Sequence, residues 1–85
     1  MIFDYTPKGV CSKKMRVTLD DKNVIEKVEV LGGCSGNLQG ISSLVVGMSA
    51  EEAIRRMRGI RCGLKDTSCP DQLAHALEAA LASEQ

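Results

Sequence analysis

The sequence predicts an α+β domain, a three-stranded antiparallel sheet with about three helices packed on it, and two patterns predict it. Residues 2 to 31 carry the two-residue periodicity of strands, and residues 38 to 81 carry apolar side chains at helical spacing. The junction Gly32-Gly33-Cys34-Ser35-Gly36-Asn37 separates the two regimes with three glycines in five positions, a composition suited to unusual backbone angles.

The first strand is Ile2 to Tyr5, closed by the turn signal Thr6-Pro7-Lys8-Gly9. In the second, Met15, Val17 and Leu19 alternate with Lys14, Arg16 and Thr18, so one face is apolar and the other wet. Asp20-Asp21-Lys22-Asn23 reads as a hairpin turn. The returning strand, Val24 to Leu31, then places Val24, Val28 and Val30 on one face and Ile25, Lys27 and Glu29 on the other.

Leu38, Ile41, Leu44 and Val45 recur as the apolar stripe of a first helix, with Gly47 as its terminator. Ser49 with Glu52 three residues on has the form of a capping box, and Ala53, Ile54 and Met57 give the stripe of a second helix. Pro70 suits the first turn of a third helix, where its missing amide hydrogen would be unpaired anyway. Cys69 therefore falls at or beside the N-cap, and Leu73, Leu77, Ala80 and Leu81 follow as the buried side.

Eighty-five residues form one domain, 1–85, with a modest core, because a chain this short removes only about two-thirds of its unfolded surface from water. With one Phe, one Tyr and no Trp, that core is built from Val, Ile, Leu, Met and Ala. A bound metal or a homodimer would add the stability such a core lacks. The net charge is zero, from 11 basic and 11 acidic residues, so no overall field draws the chain to nucleic acid. No apolar run approaches the roughly 20 residues that span a bilayer, and the N-terminus has no signal-peptide pattern, so no membrane role is expected. A cytoplasmic location is expected. In that reducing compartment four cysteines read as metal ligands, redox groups or buried thiols before structural disulfides.

The four cysteines all fall at element boundaries. Cys11 lies between strands one and two, Cys34 after strand three, Cys62 before the last helix and Cys69 at its start. Antiparallel geometry makes the start of strand two and the end of strand three neighbours, which brings Cys11 and Cys34 to one end of the sheet. The spacings of 23, 28 and 7 residues match no zinc-knuckle pattern, so position carries the inference. Cys69 has the best individual argument: a thiol at a helix N-terminus meets the positive end of the backbone dipole, which favours the thiolate that binds metals or attacks electrophiles. Lys65 adds positive charge nearby, and Asp71 reads as a partner of the helix dipole.

Other features read more plainly. His75 is expected as a surface or interface histidine on a different side of the helix from Asp71. Arg55, Arg56, Arg58 and Arg61 form a solvated face, with phosphate or an acidic partner surface as the alternative. The glycine junction, through Gly33, Gly36 and Asn37, is a candidate cradle for a phosphate-bearing ligand such as a nucleotide or flavin, although it lacks the full pattern of a P-loop or dinucleotide fold.

Two resemblances fall on these residues. Thr67-Ser68-Cys69-Pro70-Asp71 is the five-residue signature of the TSCPD domain family, and Gly9-Val10-Cys11-Ser12, the glycine junction and Cys62-Gly63 resemble its other characteristic stretches. That resemblance spans nearly the whole chain. Such domains occur as small stand-alone proteins and as a C-terminal part of cobalamin-dependent ribonucleotide reductases, which implies a link to ribonucleotide reduction. The chain has no room for the large barrel of the reductase and is not expected to be the reductase itself.

The chain also resembles the U-type iron-sulfur cluster scaffolds, whose three cysteine ligands fall where Cys11, Cys34 and Cys69 stand here. Gly32-Gly33-Cys34, Ser42-Ser43 and the stretch Gly47-Met48-Ser49-Ala50-Glu51-Glu52-Ala53 are similar to the scaffold's loop, helix and next helix start. The scaffolds follow their first cysteine with glycine and a functional aspartate, where this chain has Ser12 and Lys13, and Ser68 replaces a histidine. Cys62 is additional, and as a fourth ligand it would turn an open assembly site into a closed structural one.

Three functions are thus expected to compete. In the leading one the chain is a non-enzymatic module in which Cys11, Cys34 and Cys69, with Cys62, hold zinc or an iron-sulfur cluster. In the second, Cys62 and Cys69 act as a dithiol serving a reductase of the ribonucleotide kind. In the third, the glycines and arginines bind a nucleotide or flavin, or dock on a protein partner. No general acid-base constellation is visible, so independent catalysis is the least favoured.

Overall fold

The computed structural model describes residues 1–10, 12–32 and 35–83, with side chains for all of these but 12 and 35–38. Strands β1 (Ile2–Tyr5), β2 (Ser12–Leu19) and β3 (Ile25–Gly32) form an antiparallel sheet in the order β1-β2-β3. Helices α1 (Ser35–Leu44), α2 (Ala50–Met57) and α3 (Cys69–Ser83) follow, so the α+β class and the three-plus-three elements agree with the expectation.

β2 is the central strand and supplies the floor of the core. Met15, Val17 and Leu19 are fully buried, as their alternation predicts. Two rows cross the sheet beneath the helices: Tyr5, Met15 and Val30, then Phe3, Val17 and Val28. Burying each of the larger aliphatic side chains contributes roughly 1.5–3 kcal/mol. The opposite face carries Asp4, Arg16 and Glu29 in one row, with Arg16 Nε 2.7 Å from Asp4 Oδ1.

One strand assignment is corrected. Simple alternation puts Ile25 on the wet face, yet it is 1 % exposed and stands opposite Leu19. The register shifts between Thr18 and Leu19: Thr18 faces Lys27 while Leu19 faces Ile25, which leaves Glu26 as the extra residue of a bulge. The cause is a second set of partners. The Ile25 amide donates to Met48 O (2.9 Å), the Ile25 carbonyl accepts from Gly47 N (2.8 Å), and Ala50 N donates to Asn23 O (2.8 Å). Val24 is half-buried outside β3 and bridges to Ser49.

The turn into β3 is built as its residues suggest. Asp20 Oδ1 accepts from the amides of Lys22 (2.8 Å) and Val24 (2.9 Å), and Asn23 takes a positive φ of 63°.

α1 lies on β3, α3 lies on β1 and β2, and α2 packs on α3. α3 is therefore the central helix, and its buried positions, Leu73, Ala74, Ala76, Leu77 and Ala80, spread wider than the stripe read from the sequence. Small residues on α3, with Ala50 and Ala53 on α2, allow close approach of the helices. In α1 the expected stripe is also adjusted. Val45 is buried just past the helix end, whereas Leu44 is the last helical residue and 77 % exposed, because the core contact runs from Ile41 to Val45. The side chain of Leu38 lies outside the described residues.

At α2, Ser49 Oγ accepts from Glu52 N (3.1 Å), which makes half of the capping box. The Glu52 carboxylate is engaged instead by Arg55 (2.5 Å) and Arg56 (2.7 Å), which hold it down to about 2. Among the described residues no helix is long and apolar enough to cross a membrane.

Candidate functional site

The first turn of α3 is where the chain's polar burial is concentrated. Ser68 is the residue before the helix, and its Oγ accepts from Asp71 N (3.2 Å) while donating to Ile60 O (2.6 Å). It is an N-cap that also tethers the preceding loop. Cys69 is the first helical residue, half-buried, and Pro70 the second. Both placements follow from the proline, which is compatible only with the first turn of a helix.

Asp71, 5 % exposed, is the hub of this turn. Its Oδ1 accepts from Gly59 N (2.7 Å), and its Oδ2 accepts a short hydrogen bond from Thr67 Oγ1. Burial pushes the carboxyl up, but the Thr67 hydroxyl, the Gly59 amide and the nearby His75 together outweigh it and hold the carboxyl below its ordinary value. His75 lies on the same side of α3 as Asp71, against the sequence reading, with Nε2 3.4 Å from Asp71 Oδ2. Four residues are close to one helical turn of about 3.6, so positions 71 and 75 must share a face. His75 Nδ1 is 3.6 Å from Glu78 Oε1, and Glu78 also meets Arg58, the C-cap of α2, at 3.2 Å.

Gln72, also buried, ties this helix to the far end of the sequence. Its Nε2 donates to Thr67 Oγ1 (2.9 Å), and its Oε1 accepts from Lys8 N (2.9 Å) and from Tyr5 OH (3.4 Å). Gly9, next along, comes so close to Thr67 that an added Cβ would stand 3.0 Å from Thr67 Cγ2. The β1–β2 loop is thereby fastened to the segment that enters α3.

The loop between α2 and α3 is closed by the same residues. Asp71 holds Gly59 and Thr67, Ser68 holds Ile60, and Cys62 N donates to Thr67 O (3.2 Å). Lys65 N donates to Cys62 O (3.0 Å), so 62–65 is a turn, with Gly63 at φ 58°. Cys62 is exposed on this turn, as is Leu64.

Of the predicted metal ligands, Cys62 and Cys69 are thus carried by one closed loop and the helix it feeds. Cys11 and Cys34 lie outside the described residues, as does Gly33. Gly36 and Asn37 lie in the first turn of α1, with side chains outside the description. The strand residues nearest to Cys11 and Cys34 that are described, Ser12 and Gly32, pair across β2 and β3. Among the described residues, no group of three or more His, Cys, Asp or Glu is arranged to hold a metal ion.

Sequence reasoning missed Thr67 and Gln72. Ser68 with Asp71 three residues on is an N-terminal capping pattern that could have been read directly. Gln72 carries no local signal, because its partners are 64 and 67 residues away.

An antiparallel sheet covered by a central C-terminal helix, with a cysteine in that helix's first turn and a buried polar cluster around it, defines a small α+β cysteine-bearing domain. Residues 2–81 match the family model of the TSCPD domain, and the chain belongs to that family. No curated protein and no solved structure matches it. The family's five-residue signature coincides with the capped turn: Thr67, Ser68 and Asp71 supply the hydrogen bonds, Pro70 the helical start, and Cys69 the thiol.

Proposed function

We propose that this chain is a cysteine-based metal-binding module that holds zinc or an iron-sulfur cluster through Cys11, Cys34 and Cys69, with Cys62 as the fourth ligand. Its resemblance to a part of cobalamin-dependent ribonucleotide reductases and to cluster scaffolds favours an accessory role in ribonucleotide reduction or cluster metabolism. The observation that supports the reading most is the fastening of Lys8 and Gly9 to Gln72 and Thr67. It ties the chain that leads into Cys11 to the helix start that carries Cys69. The Ser12–Gly32 pair is the second support, since Cys11 immediately precedes Ser12 and Cys34 stands two residues after Gly32 in the chain. Thiolates suit either group, and a set of four would suit a closed structural site.

The experiment is anaerobic purification followed by assay of zinc, iron and sulfide with the visible spectrum, repeated on Cys34→Ala and Cys69→Ala. About one metal centre per chain, lost in both variants, is the expected result. Metal-free protein with an unchanged fold would overturn it.

A dithiol function is the second reading, favoured by the exposure of Cys62 and by the hydrogen bond that its amide donates to the carbonyl of Thr67, two residues before Cys69. In that reading, closure of a Cys62–Cys69 disulfide would pass two electrons and two protons to a disulfide of the partner enzyme. Metal-free protein that cycles between reduced and oxidised forms, with the cycle abolished in Cys62→Ser, would support it.

A further inference from the structure

Gln72, like Asp71, is a buried polar residue of α3 that the proposed ligand set does not include. Its single carboxamide bonds three separate segments: Lys8 in the β1–β2 loop, Tyr5 at the end of β1, and Thr67 ahead of the helix. Both ends of the amide are used. The oxygen accepts at 2.9 Å from Lys8 N, and the nitrogen donates at 2.9 Å to Thr67 Oγ1, whose own proton goes to Asp71. The close approach of Gly9 to Thr67 lies beside this bridge, and a buried amide bonded at both its oxygen and its nitrogen has one preferred orientation. The result is a fixed separation between a loop that leads into one cysteine and a helix start that carries another.

We infer that Gln72 is a positioning residue of the cysteine site, setting the approach of the β1–β2 loop to the N-terminus of α3 without itself touching the metal. The inference rests on the metal-binding reading above. Groups hydrogen-bonded to metal ligands typically cost about 10–100-fold in affinity when lost, and Gln72 acts one step further out, through Lys8 and Thr67, which makes that range the upper bound of its effect.

The test uses the full chain, stripped of metal under reducing conditions and titrated with cobalt(II) and then zinc. Gln72→Met keeps the length of the side chain and removes both hydrogen-bonding ends. It is expected to bind more weakly than the parent, by up to about 10–100-fold, with a diminished thiolate-to-cobalt charge-transfer band per bound cobalt. The metal-induced rise in Tm, holo minus apo, is expected to shrink in the same variant, which a purely structural role would leave unchanged. Gln72→Asn, which keeps the amide but withdraws it by one methylene, covers the case in which Gln72→Met does not fold, and a smaller loss in the same direction is expected.

Parent-like affinity, band and Tm increment in the folded variant would overturn the positioning role while leaving the metal reading intact. Failure of the parent chain itself to bind either metal, or to take up an iron-sulfur cluster when reconstituted with iron and sulfide, would overturn both.

Discussion

Gly9 and Thr67 approach closely across 58 positions of sequence: with Gly9 at φ 73°, any Cβ there would stand 3.0 Å from Thr67 Cγ2. The approach seals the β1–β2 loop against the start of α3, and it is flanked by the Lys8–Gln72 and Gln72–Thr67 hydrogen bonds. A glycine is required on two counts, conformation and space.

Gly9→Ala is therefore expected to lose about 1–2 kcal/mol for the left-handed backbone alone, and more for the contact. Gly59→Ala separates the two terms. Gly59 has φ 87° with open space where its Cβ would be, so only the conformational cost should appear. Urea midpoints of the two variants check this, and equal losses would show that the Thr67 contact yields freely.

Asp71→Asn should cost about 1.5–3 kcal/mol, the range for hydrogen bonds to a charged group. The carboxylate accepts from Gly59 N and Thr67 Oγ1 and lies 3.4 Å from His75 Nε2, and an amide replaces one of its acceptor oxygens by a donor. Faster proteolysis in the 59–66 loop should accompany the loss, since Asp71 holds both ends of it.

The same carboxyl sets part of the acid limb of stability. Its folded value lies below the ordinary 3.8, so the unfolded chain takes up the proton first as the pH falls. The stabilisation is fully present above the ordinary carboxylate value and is lost as the pH drops through the lower folded one. Glu52, held down from 4.5 to about 2 by Arg55 and Arg56, acts in the same direction over that wider window, although its exposure lets salt screen it. Denaturation midpoints between pH 6 and 2 should fall steadily, and less steeply in Asp71→Asn.

Ser68→Ala removes the N-cap of the central helix together with the Ile60 tether, and a loss of about 1–2 kcal/mol is expected. Hydrogen exchange should localise it, with the amide of Asp71 losing protection before those of Leu77 and Ala80.

Ile25→Ala tests the bulge in β3. As a core residue opposite Leu19 it should cost about 2–5 kcal/mol, whereas a wet-face position would be nearly neutral. Glu26→Ala is the control, expected within about 0.5 kcal/mol as an exposed substitution.

Much of the fold was legible in local pattern. The alternation of Met15, Val17 and Leu19, the Asp20–Asn23 turn, the Ser49 cap and the Cys69-Pro70 helix start all act within a few residues of themselves, and each formed, although the capping box at Ser49 is only half made. The misreadings have specific causes. Ile25 moved to the core because the 47–50 segment captures its backbone, and Leu44 faces out because Val45 meets the core in its place. His75 was placed away from Asp71, although one helical turn aligns them. In the candidate site, the cysteine at the helix start could be found from its proline, but not the residues that surround it.

By itself the sequence determined the α+β class, the order of the elements and the residue with which α3 begins, because hydrophobic period, turn chemistry and proline act locally. Only the tertiary structure decided that Lys8, Gly9, Gln72 and Thr67 meet, that Asp71 serves Gly59 and Thr67 at once, and that α3 is buried between sheet and α2. Those contacts depend on β1 and α3 lying together, and a buried amide or carboxylate acquires its partners only after the surrounding chain has excluded water.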